Sequence, residues 1–159
     1  MRCPPAMFDS ISAALGIYAA SLVIGFVSGL VPIVNGELYL IAVVLLTGSV
    51  PGAIALGVLV AAGQMIAKIG LYQAMRGAAT AGKRSRLGDK IEKARARIER
   101  WRSKPLTVTF VSAVTGLPPF YLVALVAGML EVRFTTFVTL GFLGRSLRFV
   151  TIALIAVLA

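Results

Sequence analysis

A chain of 159 residues with 58% hydrophobic side chains and a mean hydropathy of +0.93 reads as one membrane-embedded domain over 1–159, without room for a separate soluble module. It has no His and a single Cys, Cys3, which excludes His-based acid–base catalysis, Cys/His zinc sites and an intrachain disulfide. The net charge of +10 is uneven: ten of the sixteen Lys and Arg residues lie between Lys83 and Lys104, beside Asp89, Glu92 and Glu99.

The first segment, about Ser10 to Leu30, is apolar and follows Arg2. It is long, and no small-residue cleavage site precedes a polar region, so the expectation is a retained helix rather than a signal peptide. Its Gly25-x-x-x-Gly29 spacing would let another helix approach closely.

The second segment, Val31 to Val50, carries Pro32, Asn35 and Gly36 near its start and then the run Leu38 to Leu46. Within it stands a carboxylate, Glu37, whose burial at membrane depth costs about 2.5–3.5 kcal/mol on insertion scales. Such a residue faces a cavity, meets a cation or binds something. From Glu37 to Thr47 the segment is short for a span, and a broken, re-entrant helix fits it better.

Pro51-Gly52 opens a third segment, predicted as a spanning helix to about Ala79 and broken at Thr80 to Gly82. Gln64, Lys68, Tyr72 and Arg76 recur every four residues and share one helix face. Arg76 is expected to snorkel towards the interface, whereas Lys68 lies deeper.

The loop at 79–104 is basic, and Leu87, Ile91, Ala94, Ile98 and Trp101 recur at steps of four and three. That pattern is an amphipathic helix with a cationic face. Between spanning segments it reads as a cytoplasmic loop resting on anionic headgroups, with Lys90, Arg97 and Trp101 as surface contacts, rather than as a nucleic-acid site. A dimer seam and a loop packed on the domain are the other readings, the seam being short of heptads.

Pro105 begins the fourth segment, which Gly116 and the pair Pro118-Pro119 divide into two apolar arms, neither long enough to span. Glu131 and Arg133 mark a return to the interface, and the last helix begins near Phe134, interrupted by Arg145 and Arg148. Each half thus pairs a Pro/Gly-broken hairpin with a spanning helix carrying cations, the arrangement that points to a transport site in inverted-repeat membrane proteins. With the basic loop inside, the first hairpin enters from outside and the second from the cytoplasm. The alternative makes every apolar segment a simple span.

These residues resemble the DedA or SNARE-associated (VTT domain) membrane protein family from about Gly25 to Phe149. The likeness lies in Pro32-x-x-Asn35-Gly36-Glu37 and in Gly57-x5-Gly63-Gln64-x3-Lys68-x3-Tyr72. It continues in Gly116-Leu117-Pro118-Pro119-Phe120-Tyr121-x6-Gly128, followed by Phe134, and in Gly144-Arg145-x-x-Arg148-Phe149. The resemblance implies two opposed re-entrant hairpins and a role in moving lipids or lipid-linked phosphates between leaflets. It also implies arginines around the second hairpin's prolines, where this chain has Thr115, Phe120 and Tyr121.

The expected fold is therefore all-α: a polytopic integral membrane protein with three spanning helices, two opposed re-entrant hairpins and a basic amphipathic cytoplasmic helix. The expected activity is that of a lipid transporter or scramblase in the cell membrane. Glu37, Lys68, Arg145 and Arg148 would line a polar cleft between the hairpins, and Gly116, Pro118 and Pro119 would form the broken or moving element. A guanidinium suits a headgroup phosphate, and Glu37 would neutralise the empty site or carry a coupling proton.

Against this stand a purely structural buried ion pair and a non-transporting scaffold whose basic loop binds anionic lipids or acidic partners. Enzyme chemistry has least support, because Asp9 and Asp89 lie near membrane edges and no nucleophile–base pair is evident. Membrane lipids are the expected partners. No cofactor or metal is called for, and a homo-oligomer is compatible with the sequence.

Overall fold

The computed structural model describes residues 5–31, 33–82 and 105–159. Pro32, and with it the basic segment holding Lys90, Arg97 and Trp101, lies outside the described residues. The described residues form six α-helices and no strands: α1 Pro5–Leu30, α2 Gly36–Thr47, α3 Val50–Gly82, α4 Pro105–Thr115, α5 Phe120–Met129 and α6 Phe134–Leu158. Of these, α3 (over Val50–Ala78) and α6 are long and apolar enough to cross a membrane. α1 contributes a shorter apolar stretch, Leu15–Leu30.

The breaks fall where Pro, Gly and Asn sit in the sequence. Asn35 stops the chain in an extended conformation, and its side chain accepts hydrogen bonds from the amides of Glu37 (3.0 Å) and Leu38 (3.3 Å), capping α2. Gly48 ends α2 in the left-handed region, φ 58°, and its N–H donates to the Val44 carbonyl at 2.9 Å. Gly116 does the corresponding work at φ 78° after α4. The Leu117–Pro118 peptide that follows it is cis.

Two boundaries differ from expectation. α1 begins at Pro5 rather than near Ser10, with proline in the first turn where its missing N–H costs nothing. α3 does not break at Thr80 but continues to Gly82. The Thr80 hydroxyl donates back to the Arg76 carbonyl at 2.8 Å, which satisfies the polar side chain without leaving the helix.

The chain folds as two compact units, Met1–Gln64 with Phe149–Ala159, and Met65–Arg148. In the first, α1 crosses α3 with the two backbones in contact. A Cβ on Gly25 would lie 2.5 Å from the Val60 carbonyl oxygen, and one on Gly63 would strike the Leu22 carbonyl. The close approach read from Gly25 is thus realised, with α3 as the partner. Gly57 likewise admits the backbone of Phe149 and Val150. On α2, Leu40 and Val44 are fully buried one turn apart, and the Tyr39 hydroxyl meets Ser21 of α1 at 3.1 Å.

In the second unit α4 and α5 fold back on each other as a helical hairpin around residues 116–119, packed on α3 and α6. The core is Met65, Tyr72, Ala113, Phe120, Val123, Ala124, Ala127 and Phe137. Tyr72 stacks on Phe137 (centroids 4.9 Å apart) and Phe137 on Phe120 (5.9 Å), a ladder of three rings. Gly128 lets α5 touch the Tyr72 backbone, and Gly144 lets α6 close on Ala113 of α4.

Candidate functional site

Three of the four cations or carboxylates singled out in the sequence meet in the second unit. Lys68 stands on α3, with only 5% of its surface exposed, and Arg145 on α6, with 9%. The two lie close enough for their charges to repel. Each rests near a ring at the start of α5: the Arg145 Cζ lies 4.4 Å from the Phe120 centroid, and the Lys68 Nζ lies 5.8 Å from that of Tyr121. Where the resemblance implied arginines, this chain presents aromatic faces that receive cations from other helices.

Arg148, one turn beyond Arg145, lies against the hairpin break. A Cβ on Gly116 would strike its guanidinium, and Nη1 is 3.5 Å from the Val114 carbonyl at the end of α4. It therefore satisfies one of the carbonyls that a helix C-terminus leaves without an intrahelical donor. The break is tied down from α4 as well. The Ser112 hydroxyl donates to the Pro118 carbonyl, while the Thr115 hydroxyl donates back to the Val111 carbonyl at 2.8 Å and accepts from the Leu117 amide at 3.2 Å.

Electrostatically the site gathers positive potential. Lys68 and Arg145 are both buried, each over a ring in the first turn of α5, Arg148 stands a turn beyond Arg145, and α5 starts at Pro119 with no side-chain cap on its first turn. A helix N-terminus carries about half a positive charge, so this end favours an anion. An oxyanion reaching both Lys68 and Arg145 would turn their repulsion into two attractions.

Glu37 belongs to the first unit, part-buried in the first turn of α2, where the helix dipole favours a carboxylate. Its neighbour Gly36 is clasped: a Cβ there would lie 2.8 Å from Ser28 Oγ and 3.0 Å from Gln64 Nε2, and Gln64 donates to Ser28 at 2.9 Å. Among the described residues no three His, Cys, Asp or Glu side chains cluster to hold a metal.

Sequence reasoning missed the roles of Phe120, Tyr121, Ser28 and Gln64. Gln64 was signalled by the repeat Gln64, Lys68, Tyr72, Arg76, and Phe120 and Tyr121 by the motif that runs from Gly116 to Gly128. The repeat proves to be a face whose first three members are buried and whose last, Arg76, is exposed and 3.5 Å from the Tyr72 hydroxyl.

The model of one family, the VTT domain, matches residues 31–157. The chain belongs to the VTT domain family. This is the DedA/SNARE-associated family of membrane proteins, generally of transporter or scramblase type, and α3 and α6 fit membership by length and apolarity. The VTT match takes in α2, the Gly116–Pro119 break and all the cations described above. No curated protein and no solved structure matches the chain.

Proposed function

We propose that this VTT domain protein moves anionic lipids, or lipid-linked phosphates, between leaflets, with Lys68 and Arg145 as the headgroup phosphate's ligands. The observation that carries this reading is the burial of two cations from different helices over consecutive rings at the start of one arm of a broken hairpin. Placing like charges together in a poorly solvated spot is costly, and a bound oxyanion offsets that cost. An arginine fork and a compact ammonium complement the oxygens of a phosphate, one by geometry and the other as a point charge.

The chain would cross the membrane with α1, α3 and α6, and the α2 and α4–α5 segments would enter it as hairpins. Arms of 11 and 10 residues, α4 and α5, reach about 15 Å, roughly half of the hydrocarbon thickness. Glu37 would carry a coupling proton, and the basic loop would lie at the cytoplasmic surface of the cell membrane.

The test is fluorescent-lipid movement in reconstituted vesicles. Wild-type protein should translocate an anionic phospholipid, and Lys68→Gln and Arg145→Gln should each slow it at least tenfold while remaining folded and inserted. Full activity in both variants, or no activity in the wild type with any anionic lipid, overturns the reading.

A further inference from the structure

Two consecutive residues, Phe120 and Tyr121, each face one of the two buried cations, and the cations come from different helices. We propose that Phe120 and Tyr121 are positioning residues, which aim Arg145 and Lys68 at a single anion. This rests on the reading of the site as an anion carrier.

Successive side chains on a helix diverge by about 100°, so one turn of α5 presents its two rings in different directions. One ring meets the cation of α6 and the other that of α3. The negative face of each ring attracts its cation and offsets part of the repulsion between Arg145 and Lys68. The same face repels an anion. Each cation is therefore covered on the ring side, and a bound anion would meet it from a direction other than the ring face.

The Phe120 platform is built to stay in place. It is buried and stacked on Phe137, which is stacked on Tyr72, whose hydroxyl donates to the Val132 carbonyl in the α5–α6 turn. Gly141 provides the space for the ring edge: a Cβ there would lie 2.9 Å from Phe120 Cζ. Tyr121 is more open, 37% exposed, and is thus the position to alter without disturbing the core.

The experiment measures binding and transport separately on the full chain. Pyrophosphate is titrated against detergent-purified protein at constant ionic strength, and half-saturation and maximal rate of lipid movement are measured in vesicles containing phosphatidylglycerol. Tyr121→Leu should weaken pyrophosphate binding about fivefold to tenfold and raise half-saturation equally, with maximal rate and Tm unchanged. Tyr121→Phe, which keeps the ring, should stay within about twofold of wild type.

Phe120→Leu should act in the same direction. Should it fail to fold, the Tyr121 pair decides. Wild-type affinity in Tyr121→Leu, or an equal loss in Tyr121→Phe, overturns the inference while leaving the transport reading intact. Pyrophosphate binding without lipid movement overturns the transport reading alone, and a wild type that does not bind the anion overturns both.

Discussion

The Arg148 guanidinium occupies the space that a side chain at Gly116 would fill, and it reaches the Val114 carbonyl from there at 3.5 Å. Glycine at 116 thus serves two needs at once: a backbone at φ 78°, and room for a cation from α6.

These two needs can be separated. Gly116→Ala should cost about 2–4 kcal/mol, of which the left-handed backbone supplies about 1–2. Removing the guanidinium in Gly116→Ala/Arg148→Ala should recover the steric share and not the backbone share. Thermal unfolding of the two single variants and the double variant measures the coupling. Strictly additive losses would show that Arg148 does not occupy that space.

Backbone contact between α1 and α3 makes a second prediction. Gly63→Ala should prevent normal packing of the first unit, because its methyl group would meet the Leu22 carbonyl and the Phe26 amide nitrogen rather than a side chain that can turn away. Gly16→Ala, at a glycine with nothing within 4 Å, should leave the melting temperature unchanged or slightly higher. Size-exclusion profiles and Tm in detergent distinguish the two outcomes.

Tyr72→Phe should keep the ring ladder and lose only the hydroxyl. The Val132 carbonyl would then lack that donor in a largely apolar setting, at a cost of about 1–3 kcal/mol. A fall in Tm with unchanged helical content by circular dichroism is the expected result. An unchanged Tm would mean that the tyrosine hydroxyl contributes nothing to holding the α5–α6 turn.

At the first hairpin, Asn35→Ala removes the acceptor for two α2 amides and should destabilise by about 1 kcal/mol. Glu37→Gln leaves that cap in place and loses only the carboxylate's favourable position at the helix N-terminus, so it should insert normally and melt slightly below wild type. If Glu37 carries a coupling proton, Glu37→Gln abolishes the dependence of lipid movement on a pH gradient. If it carries none, the variant leaves that dependence intact. Transport assays with and without a gradient separate the two.

What the sequence made legible was set by local chemistry. Asn35-Gly36, Gly116 and Pro118-Pro119 end and start helices wherever they stand, so the breaks before α2 and between α4 and α5, and the start of α6 at Phe134, follow from the residues alone. Thr80 misled because threonine is an ambiguous breaker: its hydroxyl can bond to the preceding turn, as it does here with Arg76. The site was legible only as an inventory. Lys68 and Arg145 stood out as cations in apolar helices, but their approach to Phe120 and Tyr121 depends on how α3 and α6 pack on α5. Likewise Ser28 and Gln64 are 36 residues apart, and no spacing rule pairs them.

The tip between α4 and α5 finds its own hydrogen-bond partners: Ser112 for the Pro118 carbonyl, Thr115 for the Leu117 amide and Arg148 for the Val114 carbonyl. Unwound backbone normally needs water or a neighbouring protein surface to survive in hydrocarbon. With those groups met from within, the proposed hairpin would keep its bend dry, and Leu117, 72% exposed at its apex, would slide along acyl chains like any other oily knob. On the transport proposal such a tip would be a greased bearing for a lipid's tails, with the proposed headgroup ligands Lys68 and Arg145 standing over the first residues of α5.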